Sequence, residues 1–465
     1  MTRTSGDFRG RRALALGAGT ATVALLLAAC GGGDGDDGAS PTAGGTAAES
    51  SIDCSVFDQF GDLQGKTVTV YTSIVDPESQ SHIDSYKPFE ACTGVTISYE
   101  GSREFEAQLP VRIQAGNPPD IAIVNQPGSL RTLVNRFDAV KPVPDAVKQE
   151  VEENFSQSWI DYGTVDGTLY AAPYDANVKS FVWYSPKAFK DAGYEVPKTW
   201  DELMTLTAKI QSDTGNPPWC AGVESGDATG WPGTDWVEDM VLRFAGIDVY
   251  NKWVDHEIPF NDPQIIDAWD KAGDILKSDK YVNAGLGDVS SIATTAWSSA
   301  GLGITQGTCW LHRAANFYAA QWPEGTDISE DGDVWAFYLP AQIEDEHPVL
   351  VGGPFIAALA DRPEVQAFQT YLASTDWSNE KAKVSASGWV SANKHLDPSL
   401  LNNDFDRYVY GVLTDPKTVA GYDASDQMPS EVGAGTFWTG IVNWLTGQST
   451  QQVADTIEAS WPASS

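Results

Sequence analysis

An α/β protein built from two lobes is the architecture this sequence predicts, and three observations carry that expectation. Strand and helix patterns alternate from Lys66 to Asn135, a second αβ unit begins near Ala172-Pro173, and the chain runs to 465 residues. Alternation of this kind builds a parallel or mixed sheet with helices on its faces. The length exceeds a single ~150-residue domain and provides for two or three domain-sized units or one large two-lobed protein. With 42% hydrophobic residues and 17 Trp, 16 Tyr and 17 Phe, the chain has ample material for a full core, which excludes a disordered protein.

Arg3, Arg9, Arg11 and Arg12 precede an apolar stretch from Ala13 to Ala29, which is interrupted by Gly17, Gly19, Thr20 and Thr22. Such a stretch is short for a membrane-crossing helix, which needs ~20 apolar residues, and it has the layout of a signal peptide over residues 1–29. Leu27-Ala28-Ala29-Cys30 resembles the bacterial lipobox, which implies cleavage before Cys30 and acylation of its side chain. Arg11-Arg12 leaves open whether export takes the general or the twin-arginine route. A Gly/Asp run and a Ser/Thr/Ala/Gly run follow, and they read as a flexible tether within residues 30–60.

Charge separates the leader from the body. The whole chain has 29 Lys+Arg against 64 Asp+Glu, a net charge of −35. Removing residues 1–29, which hold four Arg and one Asp, leaves 25 cationic against 63 acidic residues, a net charge of −38. A field of that sign repels phosphates, so nucleic-acid binding and docking to anionic lipid through basic patches are excluded. An uncharged ligand needs no such field.

The body then unfolds element by element. Lys66–Thr72 alternates as a strand, Glu78–Ala91 reads as a helix that Pro88 disturbs, and Gly94–Tyr99 is a strand. Helix Glu104–Gln114, strand Asp120–Val124 and helix Gly128–Asn135 complete a βαβαβα series. Ligands of such sheets collect at the carboxyl ends of the strands, here Thr72-Ser73, Glu100–Arg103 and Asn125-Gln126-Pro127. Thr199 with Glu202 forms a capping box opening a helix through Ile210, and Asp262-Pro263 starts another with Ile265, Ile266, Trp269 and Leu276 near one face. The apolar segment Val349–Ala360, broken by Gly352-Gly353-Pro354, is suited to cross between lobes.

Four cysteines besides Cys30 form an even set in an oxidising compartment and can pair in three ways. Cys54–Cys92 and Cys220–Cys309 are favoured, because the first pair flanks the opening βα unit and the second brackets the middle of the chain. No CxxC spacing exists and the five His are scattered, so no metal site is expected. Gly61–Thr67 misses a P-loop by one residue and precedes a strand rather than following one, and His256-Glu257 lacks the second His of a zinc-protease helix. No cofactor is implied.

Tryptophan is unevenly placed: none precedes Trp159 and eleven fall between Trp183 and Trp335. Sugars present apolar C–H faces and polar edges, so a sugar site needs flat aromatic platforms flanked by carboxylates, amides and Arg. The segment Trp231-Pro232-Gly233-Thr234-Asp235-Trp236 offers both, although core packing is the commoner fate of any one Trp.

Several motifs in a fixed order now resemble one family. The lipobox leader, Pro118-Pro119-Asp120-Ile121, Glu195–Trp200, Cys220–Trp236, Gly307–Arg313 and Gly433–Trp438 together are similar to the family 1 extracellular solute-binding proteins, and most to maltose- and α-glucoside-binding lipoproteins of carbohydrate ABC importers. The likeness spans residues 64–464. It implies a type II periplasmic-binding-protein-like fold, with two α/β lobes joined by a hinge and a ligand cleft between them. The first lobe would take residues 61–173 with a return at 349–392, and the second 174–348 with C-terminal helices in 393–465. The implied partners are an oligosaccharide such as maltose or trehalose and ABC permease subunits. The protein would be a monomer, tethered by its lipid anchor to the outer face of the cell membrane.

Site residues carry over one by one. Trp438 matches the family's stacking aromatic near the C-terminus, and Trp310 matches another aromatic position. Asn125 and Gln126 follow the Pro-Asp-Ile strand where the family places polar sugar contacts. Trp231 and Asp235 lie where the second lobe contributes an aromatic and polar wall. Lys179 and Asn177 follow the Ala172-Pro173 crossing, near an acidic contact elsewhere in the family, and Arg103 heads a helix where it can donate to sugar hydroxyls or stand as a plain surface charge. The acid–Arg pair common in maltose binders is absent, so the polar readout must differ. A secreted glycoside hydrolase is the alternative, since 64 acidic residues make a catalytic carboxylate pair impossible to exclude by counting.

Overall fold

The computed structural model describes residues 52–462; the leader, Cys30 and most of the tether lie outside the described residues. A five-stranded sheet orders Thr96–Gly101, Thr67–Thr72, Ile121–Val124, Phe355–Ala358 and Ala171–Pro173 from edge to edge. The first three strands are parallel, and Phe355–Ala358 runs antiparallel to both of its neighbours. Ile121–Val124, the central strand, is buried at every position, as expected where helices cover both faces. Helix Ser79–Thr93 packs against Thr375–Val384, and Asp145–Asn154 against Pro363–Ala373.

Pro88 does not end its helix. The turn runs through it to Thr93 and stops at Gly94, which takes the left-handed conformation (φ 68°) and returns its N–H to Glu90. Proline at an interior position removes one intrahelical bond, and the buried Ser85, Tyr86 and Phe89 face holds the helix on the sheet regardless.

A second body carries the three-stranded sheet Trp335–Tyr338, Phe181–Tyr184 and His312–Arg313, all antiparallel. Its core is the helix Trp231–Phe244, buried along nearly its whole length between Pro263–Leu276 and the helix Trp438–Leu445. The Thr199 cap forms, accepting from the Glu202 N–H, but the Glu202 carboxylate accepts from Lys198 rather than closing the box on Thr199 itself. That helix extends past Ile210 to Thr214 before Gly215 ends it.

Between the two lies a third, short sheet: Val419–Tyr422, Pro348–Gly352 and Asn177–Val178. The chain leaves the large sheet at Pro173 and enters this one at Asn177, then reverses the passage from Gly352 through Gly353-Pro354 to Phe355. Gly353 has no room for a side chain, because a Cβ there would lie 2.2 Å from the Asp175 carbonyl oxygen. The two crossing strands therefore run in direct contact. Both expected disulfides are present, Cys54–Cys92 pinning the first helical turn to Ser79–Thr93 and Cys220–Cys309 joining two loops of the second body.

A π-helical segment, Glu431–Phe437, delivers the chain into Trp438–Leu445. It rests on the turn Ala424–Gln427 with Gly433 at the contact, where a Cβ would fall 1.8 Å from the Ser425 carbonyl oxygen. Overpacking against backbone cannot be relieved by a rotamer change. Gly433→Ala should cost ~1–3 kcal/mol in urea unfolding, and a loss below about 0.5 kcal/mol would show that this seam yields.

Candidate functional site

The strand ends of the large sheet and the aromatic face of the second body enclose a cavity of about 370 Å3. That volume lies in the range of small-molecule sites, ~300–1,000 Å3. From the large-sheet side come the loop after Thr67–Thr72 with Ser73, the residues Asn125 and Gln126 after Ile121–Val124, and Arg103. The structure thus brings together the three strand-end loops read from the sequence. Asn125 donates to the Ser73 hydroxyl at 2.7 Å, which orients its carboxamide across the sheet end.

The opposite wall is aromatic. Trp231 and Phe317 each meet Trp297 edge to face and are tilted to one another, with ring centroids 5.3 to 5.9 Å apart, and Trp438 adds a ring that is only 4% exposed. Trp231 sits in the first turn of its helix, where Gly230 (φ 120°) allows the backbone to pass against Trp438: a Cβ on Gly230 would lie 2.3 Å from the Trp438 carbonyl oxygen. One glycine therefore sets the spacing of two cleft rings. Trp236, the second Trp of the segment, is buried against Trp219 and takes no part.

Two residues expected in the cleft are elsewhere. Trp310 precedes the short strand His312–Arg313 and packs against Phe189 and Tyr194, away from the cavity, while Leu311 and His312 are buried. Asp235 is 1% exposed and lies one layer behind the cavity. It reaches the cleft only through Lys179, whose Nζ is 3.0 Å from Asp235 Oδ1 and 2.5 Å from Asp423 Oδ2. The Lys179 ammonium also lies 5.6 Å from the Trp231 ring centroid. Burial opposes this ammonium, but Asp235 and Asp423 outweigh it and hold its pKa well above the usual lysine value.

Behind Lys179 runs a buried network. Arg313 reaches Asp235 at 3.4 Å and Asp239 at 2.5 Å, Ser180 donates to Asp239 at 2.7 Å, and Arg243 joins the same carboxylate. Asp423 accepts from Lys179, from the Ser425 hydroxyl and from the Asp426 N–H, and these donors keep it ionised against the cost of burial. Glu238 caps the next turn by accepting from the Ala424 and Ser425 N–H groups. Asp235, Glu238 and Asp423 stand close enough to hold a metal ion. The Lys179 ammonium already occupies the space between two of them, so the donor set fits a lysine clamp.

A second polar group lines the other end. Trp389 donates to Asp175 at 2.5 Å, Lys381 donates to Ser81 at 2.5 Å, and Gln321 donates across the cleft to Glu78 at 2.9 Å. Glu78 keeps part of its surface on the cavity yet is surrounded by protein; desolvation first, and Asp175 in addition, raise its pKa to about 8 against the pull of Lys381. Desolvation likewise raises Asp175 to about 7 and lowers Lys381 to about 8. At the far rim the Ala107 N–H donates to Asp227 at 2.8 Å, a second contact between the two walls. Trp297, Phe317, Trp389, Lys381 and the Asp423–Asp426 pair were missed by the sequence reading, as they arrive from distant loops with no local pattern.

Residues 71–379 match the family of bacterial extracellular solute-binding proteins. The chain belongs to that family. It is 39% identical to the osmoprotective compounds-binding protein GgtB of Synechocystis sp. across 86% of this chain and 94% of the relative. It is 37% identical to the alpha-glucosides-binding periplasmic protein AglE of Rhizobium meliloti across 87% and 89%. The bacterial solute receptor AcbH shares the fold at a TM-score of 0.72 and 18% identity, over 85% of this chain and 97% of that one. This solute-binding protein is accordingly a receptor rather than an enzyme, and it acts outside the cytoplasm.

Two outcomes test the electrostatics of the cleft. Lys179→Met leaves Asp235 and Asp423 buried without their cation and should cost ~3–5 kcal/mol in urea unfolding at neutral pH; a loss under about 1 kcal/mol would mean the carboxylates are compensated elsewhere. Glu78 has a folded pKa raised from 4.5 to about 8, so the stability it contributes is complete below pH 4.5 and is lost as pH rises towards 8. Thermal melts of the unliganded protein should therefore show this loss across that window, and Glu78→Gln should flatten it; an unchanged slope in the variant would remove Glu78 from the account.

Proposed function

We propose that this solute-binding protein is the sugar receptor of a carbohydrate ABC importer, capturing an α-glucoside such as maltose or trehalose between its two lobes and delivering it to the permease. The observation that carries the reading is the composition of the cavity: rings at Trp231, Trp297, Phe317, Trp389 and Trp438 face carboxylates and carboxamides across a 370 Å3 space. Aromatic faces take the C–H face of a pyranose while Asn125, Gln126, Asp175 and Glu78 meet its hydroxyls. The name of AglE, an alpha-glucosides-binding protein, supports the ligand class.

Charge supports an uncharged ligand as well. Of the two lysines on the cavity, Lys179 is paired with Asp235 and Asp423, whereas Lys381 donates to the Ser81 hydroxyl and feels Asp175 and Glu78 only at longer range. Acidic residues on the cavity wall, among them Glu78, Glu106, Asp175, Asp423 and Asp426, outnumber its cations Arg103, Lys179 and Lys381. A phosphate or carboxylate on the ligand would face a surplus of acid.

In this reading Trp438 is the principal stacking ring, with Trp231, Asn125, Gln126 and Arg103 as further contacts; Lys179 positions Trp231 and orders the wall, and Asp235 acts through Lys179. Trp310 is withdrawn from the ligand set. The protein works as a monomer held by an acylated Cys30, and the tether before Cys54 gives it reach from the membrane. Hydrolysis is not retained as an alternative, because the family consists of receptors.

A sugar that binds the native state alone stabilises it by RT ln(1 + [L]/Kd), ~2.7 kcal/mol at a hundredfold excess over Kd. One of maltose, trehalose or a longer α-glucoside should raise the melting temperature without being consumed, and Trp438→Ala should abolish the rise while lowering the unliganded melt by several degrees through loss of a buried ring. A full shift retained in Trp438→Ala would displace the site from this cleft.

A further inference from the structure

At the far rim of the cavity the two walls meet through a turn and a helix end. On the second body Gly226–Ala228 forms a short 3₁₀ turn, tied by its own neighbours: the Thr229 hydroxyl donates to the Gly226 carbonyl at 2.6 Å and accepts from the Ser225 N–H at 3.0 Å, and the Gly226 N–H donates to the Glu224 carboxylate at 2.9 Å. The turn is therefore fixed before it meets the other lobe. Gly226 takes the left-handed conformation (φ 64°) and passes close to the opposite wall, where a Cβ would lie 3.1 Å from the Arg103 carbonyl oxygen. The same segment leads through Gly230 into the cleft ring of Trp231.

The helix end that it meets has no side-chain cap of its own. Phe105–Gln114 starts after Glu104, whose side chain accepts no bond from the first turn. The first N–H groups of a helix have no partner within it and need an acceptor from outside. The Phe105 N–H finds the Ser102 carbonyl at 3.2 Å, and the Ala107 N–H, at the third helical position, is taken by the Asp227 carboxylate of the opposite lobe at 2.8 Å. An N-cap aspartate ordinarily makes this bond to its own helix, and a negative charge there also suits the helix dipole. Glu106 on one side of the contact and Ser225 and Ala228 on the other line the main cavity, with Asp227 at the rim behind them.

We propose that Asp227 is a positioning residue for ligand capture: it caps the helix Phe105–Gln114 from the opposite lobe and so latches the two walls together over a bound sugar. This rests on the reading of capture between the lobes and adds to it the group that keeps the loaded cleft shut. A sugar that touches Trp231 and Ser225 on one wall and Arg103 and Glu106 on the other draws together the two segments that bear the acceptor and the donor. When the walls part, the Ala107 N–H and the Asp227 carboxylate exchange their bond for bonds to water, so the latch slows release without sealing the cleft.

Stopped-flow tryptophan fluorescence with maltose, trehalose and maltotriose tests this, read on each sugar that binds the wild-type protein. Loss of a helix cap shifts an equilibrium about fivefold. Asp227→Ala should therefore raise the dissociation rate about fivefold and leave the association rate within about twofold. Asp227→Asn keeps the acceptor and should stay within about twofold of the wild type in both rates. Hydrogen exchange over residues 103–109 in the sugar-loaded protein gives a second reading, with the start of the helix protected in the wild type and in Asp227→Asn and exchanging faster in Asp227→Ala. Asp227 is exposed, so sugar-free melts of both variants should match the wild type and serve as the control for folding. A dissociation rate and an exchange rate unchanged in Asp227→Ala, or an Asp227→Asn that releases sugar as fast as Asp227→Ala, would overturn the latch while leaving the sugar reading intact. Failure of all three sugars to bind the wild type would overturn the sugar reading and the latch with it.

Discussion

The cleft depends on one buried ion-pair arrangement. Lys179 stands two residues beyond the crossing point at Asn177, and its ammonium is held between Asp235 on the helix Trp231–Phe244 and Asp423 at the end of Val419–Tyr422. Three segments far apart in sequence are thereby fixed to one another next to the short sheet that joins the lobes. A buried ammonium is tolerable only with such compensation, and the second layer of Arg313, Asp239 and Arg243 keeps the carboxylates in place. Loss of the cation would release the wall that carries Trp231 and the turn that leads to Trp438.

From that fixed point the chemistry of the cavity follows. The rings of Trp231, Trp297, Phe317 and Trp438 stand on the second body, while Trp389 and much of the hydrogen-bonding capacity stand on the large-sheet side, so a ligand must touch both to be fully paired. Burial between the two walls removes polar groups from water, and desolvation above all raises the pKa of Glu78 to about 8 and of Glu106 to about 7. A neutral carboxyl can donate as well as accept, which suits a ligand whose hydroxyls do both. The acidic surplus of the whole chain leaves this local neutrality intact.

Much of this was legible in the residues. Alternating strands and helices placed Asn125, Gln126 and Arg103 at the ends of parallel strands, where open α/β sheets bind ligands, and the cavity lies there. Pairing of the cysteines followed from their positions along the chain. Trp438 and Trp231 were found by ordered motifs, since nothing in their local pattern separates a cleft ring from a core ring. That same limit explains Trp310: a single-residue register in the loop after Gly307 decides whether the indole faces inward or outward, and only the packing against Phe189 and Tyr194 reveals it. Asp235 was placed in the right wall but one layer too far forward, because sequence spacing does not report which side of a helix meets solvent. Lys381, Trp389 and Trp297 carried no signal at all, being brought to the cleft by tertiary packing from the return segment and a long loop.

The central claim is that an uncharged sugar sits between Trp438 and the ring cluster of Trp231 on one wall and Asn125, Gln126 and Asp175 on the other. A crystal structure of the protein with the glucoside that most raises its melting temperature tests this directly. The account predicts one sugar ring stacked on Trp438 with hydroxyls on the strand-end carboxamides and Lys179 still clamped by Asp235 and Asp423. A ligand bound outside this cavity, or bound within it with Lys179 released from both carboxylates, would contradict it.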